Sequence, residues 1–479
     1  MKSLYSYSTW LLSLIVLSFL YSNIYAQGTT DALRLGEPGL GSDARALGMG
    51  NSYIGLSDDA GAAFFNPAGW ALIKSLDITG GLSYDNNTNN TTFLNQYSNY
   101  SNSATRLNNL SFVLPFPTTR GSLVFAISYN TTKDLTGALK FNGYNSGDSS
   151  YIQDLNSYSD IPYNLFLADS NYVTNIKGKL NQSGTILSSG SLHNWTFSGA
   201  IEAYKNLFIG LNLNIISGSY TNNNDYYEDD FNGIYTSTPT DPSTPQTVGF
   251  QEFHIGQIIN WDISGWDVKF GMLYQIQNKA RVGLTIQFPK TYTVKENYSV
   301  DAESSFKNFQ SSPYNYSDKV QYDIVTPFEI AGGASYNIAG LILSGQATII
   351  DYSQLQFQNP DGLSTQDIQT ANKDIKNQLR SVLNYNLGAE YTIPEIGIRL
   401  RAGYFVMPSP YQSDASTSSY DKKYITGGIG YIADGAVGID LAYAHGTWDN
   451  YGDNYGVNIS RTFQSLKSDT FILSMTYRF

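Results

Sequence analysis

The chain has no cysteine, which excludes disulfide frameworks, thiol nucleophiles and cysteine-ligated zinc. Histidine is nearly as scarce. His193, His254 and His445 are too scattered for a His-Glu-x-x-His metal site. Charge is sparse as well, at 14% of residues, where an ordinary soluble domain carries roughly 25%. The balance is acidic, with 28 Lys+Arg against 40 Asp+Glu and a net charge of −12. Nucleic-acid binding needs a basic face and is not expected. No Gly-x-Ser-x-Gly elbow occurs, and three dispersed histidines offer no base for a nucleophile. The expectation is therefore no enzyme, no cofactor and no metal.

Long apolar runs are missing too. After residue 26 nothing approaches the roughly 20 apolar residues of a spanning helix. The N-terminus itself has three parts: Lys2, an apolar run from Trp10 to Leu20, and the small residue Ala26 before Gln27. This layout reads as a secretory signal over residues 1–26. An uncleaved anchor is the rival reading, and the apolar run is short for one. The mature protein is then exported and soluble, or it enters a membrane as strands.

What is present is aromatic and alternating. Tyr (38) and Phe (24) bring aromatics to 14% with Trp, and there are 43 Gly. Read backwards from the end, Phe479, Tyr477, Met475, Leu473 and Phe471 fall on every second position. Period-2 spacing places them on one face of a strand. The same rhythm runs through Leu207 to Ile215, Val282 to Phe288, Leu383 to Tyr391, Leu400 to Val406 and Val437 to Tyr443. In a soluble sandwich this face would meet a core; in a membrane barrel it meets lipid. Tyr129, Tyr204, Tyr274, Tyr431 and Trp448 suit interfacial girdles.

Connections alternate between short and long. Short ones include Lys205-Asn206, Gln277 to Ala280 and Ala433 to Gly435. Long polar ones span Phe141 to Gly190, Tyr220 to Gly265, Tyr298 to Tyr322, Gln358 to Leu379, Pro408 to Asp421 and Asn450 to Leu466. One short side and one long side predict an all-β transmembrane antiparallel β-barrel of about fourteen strands. Ser364 and Asp367 stand at capping-box spacing. Ile368, Ala371, Ile375 and Leu379 follow at helical spacing, so a short helix is predicted there. Phe250 to Trp261 is apolar for a loop and reads as a helix or as part of the next strand.

Residues 27–74 do not alternate. They are rich in Gly and Ala and carry Asp58-Asp59-Ala60-Gly61 and, four residues on, Asn66-Pro67-Ala68. Pro67 fixes its own φ and biases Asn66 away from helix, which predicts a turn. This pair of elements resembles the N-terminal hatch of the FadL/TodX family of outer-membrane transporters. The resemblance extends over the strand rhythm, the Arg401 to Tyr404 strand with Pro408 and Pro410 after it, and the terminal Phe479. It implies a fourteen-stranded barrel over 75–479 whose hatch fills the lumen. It also implies passive uptake of long-chain fatty acids or aromatic hydrocarbons, with the hatch motif gating and, in some members, sideways release. Arg45 to Gly50 looks like the PorV branch, which acts in protein secretion, so a secretion shuttle is the alternative.

Arg281, Arg399, Arg401 and Arg478 fall in lumen phase, against Glu202, Asp267, Glu390 and Asp440. They could hold a ligand carboxylate or pair with one another. Tyr477 and Phe479 resemble the C-terminal signal read by the barrel-assembly machinery. The expected setting is the bacterial outer membrane, with lipid around a monomer, because a closed barrel leaves no edge to pair.

Overall fold

The computed structural model describes residues 28–236, 247–277 and 279–479. The proposed signal over 1–26 lies outside these residues. Among them, fourteen antiparallel strands close into one barrel. These are β1 (Asp77–Phe93), β2 (Gln96–Phe116), β3 (Leu123–Asp134), β4 (Leu180–Tyr204), β5 (Leu207–Asp229), β6 (Phe250–Ile276) and β7 (Ala280–Gln287). The second half comprises β8 (Glu329–Ile338), β9 (Leu341–Asp351), β10 (Ser381–Thr392), β11 (Ile398–Met407), β12 (Lys422–Ala433), β13 (Val437–Asp453) and β14 (Arg461–Arg478). Each strand pairs with the next. β14 returns to β1 in a register running from Asp77↔Arg478 to Thr92↔Phe463. Closure leaves no edge strand.

The alternation read from the sequence is the inside–outside alternation of this wall. Leu211, Leu213, Leu284, Leu387, Ile429, Leu441 and Leu473 all point outward and are exposed. At the short-turn border, Phe116, Tyr204, Tyr274, Tyr336, Tyr391, Tyr431 and Tyr477 form one exposed aromatic ring. At the other border stand Tyr84, Trp195, Trp266, Tyr385, Tyr443 and Phe471. An apolar band between two aromatic girdles is built for a bilayer. The inward face carries Asn212, Asn214, Ser344, Asn386 and Thr426, all buried.

The wall is uneven in height. β4, β5 and β6 have 25, 23 and 27 residues, whereas β8 and β11 have 10 each. A spanning strand needs only about 9–11. Much of what the sequence offered as long loop is therefore strand rising beyond the membrane band. Leu180 to Gly190, Tyr220 to Asp229 and Phe250 to Gly265 all belong to it. On β4 and β5 these extensions carry mostly polar residues on both faces, whereas upper β6 buries Phe253, Ile255 and Trp261. The hydrophobic alternation fades while the backbone ladder continues. Phe250 to Trp261 is accordingly strand, part of β6. Past Pro289 and Pro327, the strands Thr291–Phe306 and Tyr314–Val325 continue β7 and β8 upward as a hairpin, the first of them paired with upper β6.

The helices lie in the lumen and at the long-loop end. α1 (Thr29–Gly36) and α2 (Ala44–Gly48) come first among the described residues, and α3 (Tyr151–Leu155) and α4 (Ile161–Asn164) sit over the barrel mouth. Phe141, Ile152, Leu165, Phe253 and Phe306 close that mouth with an apolar cluster. α5 (Thr365–Gln378) is the predicted loop helix. Ser364 Oγ accepts the Asp367 amide at 3.1 Å, and Ile368, Ala371 and Ile375 are buried.

Candidate functional site: the filled lumen

Residues 28–74 occupy the barrel interior, and polar caps shape them locally. Asp59 caps the 3-10 turn Ala60–Ala63 through the Gly61 amide at 3.0 Å. Asn66 caps the turn Pro67–Leu72 through the Ala68 amide at 3.1 Å. Pro67 stands at the first position of that turn, where its missing N–H costs nothing. Both sequence motifs are thus turn initiators. They also reach outward. Asn66 Nδ2 donates to the carbonyls of Ile54 at 3.0 Å and of Met272 on β6 at 3.1 Å.

The hatch is joined to the wall by a buried ionic knot at the short-turn end. Arg45 of α2 grips both oxygens of Glu390 at 2.8 Å. Its Nη1 also meets Asp58 at 2.6 Å, Asp59 at 3.1 Å and Tyr53 Oη at 3.0 Å. Arg281 bonds Asp58 at 2.7 Å from β7. Arg401 bonds Glu390 at 2.6 Å and pairs with Asp440 at 2.7 Å. Burial disfavours the Asp58 charge, but Arg45 and Arg281 outweigh it and hold this carboxyl well below its usual range. Of the lumen charges expected from sequence, Arg281, Arg401, Glu390 and Asp440 meet here. Arg399 forms no ion pair among the described residues, Arg478 lies 3.5 Å from Asp77, and Glu202 caps the turn at Asn206. From sequence Arg45 stands out only as part of the Arg45–Gly50 fragment.

Glycine brings wall and hatch together elsewhere. A Cβ on Gly210 would lie 2.3 Å from the Pro67 carbonyl carbon, and one on Gly271 2.1 Å from Asn66 Oδ1. On Gly283, Gly388 and Gly403 it would lie 2.2 Å from Ile54 O, 2.2 Å from Met49 O and 2.1 Å from Gly50 N. These glycines lie on β5, β6, β7, β10 and β11. The wall meets the hatch backbone directly around much of the circumference, which no side chain would permit.

Two neighbouring cavities are lined by the described residues. One of about 130 Å3 lies above the hatch floor, between Leu40, Ile54, Phe64, Ile216 and Phe405, and includes Lys133, Lys269 and Lys290. Lys290 pairs with Glu329 at 2.7 Å. Lys133 and Lys269 donate instead to the carbonyls of Glu37 and Phe64. The second cavity, of about 190 Å3, lies against β1, β3 and β14 and shares Lys133, Thr132, Leu40 and Met407 with the first.

Beside this second cavity the wall is interrupted. Backbone pairing of β2 with β3 runs from Phe116↔Leu123 to Asn109↔Asn130 and stops. Beyond it, Thr131 Oγ1 donates to Leu107 O at 2.7 Å. The strand that follows β3, Gly137–Asn145, pairs with β4. β2 reaches across by side chains, with Arg106 Nη2 bonding Thr136 Oγ1 at 3.1 Å and Asn102 Nδ2 bonding Ser188 O at 2.9 Å. Sequence reasoning did not place this break, because both strands run on past it without a turn signal. At the opposite end of the strand order, Tyr477 and Phe479 point outward, and the Phe479 amide closes on Leu76 O at 2.9 Å.

The sequence pattern of the outer membrane protein transport family (OMPP1/FadL/TodX) matches residues 172–479. Among solved structures, a Pseudomonas aeruginosa FadL homologue aligns with a TM-score of 0.57 at 12% identity, covering 92% of this chain and 99% of that one. The P. putida toluene transporter TodX aligns at 0.55 and 12%, over 92% and 99% of the two chains. The Ralstonia pickettii toluene transporter TbuX aligns at 0.50 and 15%, over 92% and 98%. At these identities the likeness is one of fold. No curated protein sequence matches the chain.

Proposed function

The chain belongs to the outer-membrane transport family OMPP1/FadL/TodX, and from that premise we propose that it is a passive channel for hydrophobic compounds, long-chain fatty acids first among them. Ligand enters from outside, rests in the cavity above the hatch floor and leaves sideways through the interruption beside β3. The observation that carries this reading is the break itself, together with the cavity behind it, which shares Lys133 with the central one. The axial route supports it by contrast. The Arg45 knot stands across the short-turn end, and an apolar chain gains nothing by entering a cluster of paired charges.

The head group of a fatty acid finds a counterpart in Lys133, whose ammonium faces both cavities and bonds only a backbone carbonyl among the described residues. Aromatic hydrocarbons, which TodX and TbuX are named for transporting, would use the same path without that contact. In this scheme Asp58, Asp59, Ala60, Gly61, Asn66, Pro67 and Ala68 set the floor against which the hatch gates. The Arg45–Gly50 fragment is a buried part of the hatch that packs on the wall at Gly388 and Gly403, which supports a packing role for it.

The test is oleate uptake by a host lacking its own long-chain fatty-acid transporter, with surface assembly checked by heat-dependent gel mobility. Uptake should appear with this protein. Lys133→Met should lower oleate uptake severalfold and leave toluene uptake unchanged. An assembled barrel that admits neither compound would overturn the reading.

A further inference from the structure

We infer that the outer vestibule contains a cation site, an aromatic cage filled by the chain's own Arg34, which accepts an alkylammonium or arylammonium ligand when α1 leaves it. The guanidinium of Arg34 lies 4.4 Å from the ring centroid of Tyr220 and 5.3 Å from that of Trp261. These residues face each other across β5 and β6, with their rings 4.9 Å apart. Behind them stands Glu296, only 1% exposed. It accepts Trp261 Nε1 at 2.9 Å and the Tyr322 hydroxyl at 2.8 Å. Two π faces with a buried carboxylate at the Trp261 ring edge attract a weakly hydrated cation, and quaternary ammonium is the group such cages bind best. The same carboxylate disfavours an anionic head. This site therefore differs in kind from the lysine-bearing cavity deeper in the lumen.

Two features make Arg34 a replaceable occupant. First, it brings its own counterion, pairing with Asp31 on the same helix. The pair can enter or leave as a neutral unit, and the cage keeps Glu296. Second, α1 is attached differently from the rest of the hatch. From Met49 to Pro67 the hatch meets wall glycines backbone to backbone. α1 meets its surroundings through side chains: Ala32, Leu33 and Leu35 in an apolar cluster, and Thr30 Oγ1 at 3.2 Å from the Tyr411 hydroxyl. The first contact of α1's trailing chain with wall backbone comes at Gly39, where a Cβ would lie 1.9 Å from Thr132 O. Pro38 precedes it. An eight-residue helix has little stability of its own, so once its side chains are out-competed it can swing about this point.

The cage also stands where a ligand arrives. Trp261 lies five residues beyond Trp266, the outward girdle residue on the same strand, so it is above the apolar band. The inference concerns binding and stands or falls apart from transport.

The experiment is calorimetric titration of the purified full-length mature protein in non-ionic detergent. The probes are phenyltrimethylammonium and its neutral isostere tert-butylbenzene. Arg34→Gln empties the cage of its cation. It should bind phenyltrimethylammonium at least tenfold more tightly than the parent protein does, with little change for tert-butylbenzene. Adding Glu296→Gln should abolish the gain, and adding Trp261→Leu should reduce it at least fivefold. Heat-dependent mobility confirms that each variant is a folded barrel, and either second substitution suffices if the other does not assemble. No gain in folded Arg34→Gln, an equal gain for the neutral probe, or a gain that survives both second substitutions would overturn the assignment. Oleate uptake in the same variants separates this result from the channel reading, which survives a failed titration.

Discussion

Arg45 joins three carboxylates that belong to different parts of the chain: Glu390 on the wall, and Asp58 and Asp59 in the hatch. A buried ion network contributes little net stability when intact, but removing one partner strands the others. Arg45→Met should therefore cost about 3–5 kcal/mol locally and loosen the hatch floor. Planar-bilayer recording checks this, since a loosened floor should raise the steady ion conductance above that of the parent barrel. A parent-like conductance would mean that the knot does not hold the floor. The sequence made part of this network legible. Arg281, Arg401, Glu390 and Asp440 were identified by strand phase, because period 2 sorts residues between lumen and lipid. Asp58 stood out by motif. Their meeting point did not, because Arg45 lies in a segment without periodicity, and strand phase gives a face but not a height.

At the scale of elements, the wall glycines decide how the hatch fits. Gly403 on β11 faces Gly50, and a methyl group there would press on the hatch backbone. Gly427 on β12 faces outward, and a Cβ there would meet nothing closer than Arg401 O at 3.9 Å. Gly403→Ala should destabilise the packed lumen by about 1–3 kcal/mol, the usual cost of overpacking, whereas Gly427→Ala should be neutral. Protease protection of the hatch in intact cells is the readout. It should fall in the first variant only, and equal protection in both would contradict the backbone-contact account. The sequence signalled the strands themselves clearly wherever lipid lies on one side, as in Leu383 to Tyr391 and Phe471 to Phe479. It missed the tall extensions of β4 and β5, where Ser, Asn, Thr and Asp occupy both faces, and on β6 it left Phe250 to Trp261 open between helix and strand. The helix at Thr365–Gln378 was readable because its cap and its apolar stripe agree.

At the scale of the whole molecule, the described residues form a closed wall that is interrupted beside β3. Fourteen strands pair in sequence order around the lumen. Only sequential hairpins are needed, so the strand rhythm of the sequence sufficed to give the barrel. The interruption could not be read the same way, because it is the loss of one partner: β3 and the strand after it stay paired with β4 throughout, and after Asn130 the chain leaves β2. That event is set by the pairing of distant strands, and no local residue pattern records it. The route proposed for the ligand depends on this gap, and the absence of native cysteine makes it accessible to clean cross-linking. Arg106 and Thr136 face each other across it at 3.1 Å. The deciding measurement is oleate uptake by the Arg106→Cys/Thr136→Cys protein before and after bridging with a short bis-maleimide. Transport that is present before bridging and lost after it is the predicted result; transport that continues at the same rate through a bridged barrel would contradict lateral release.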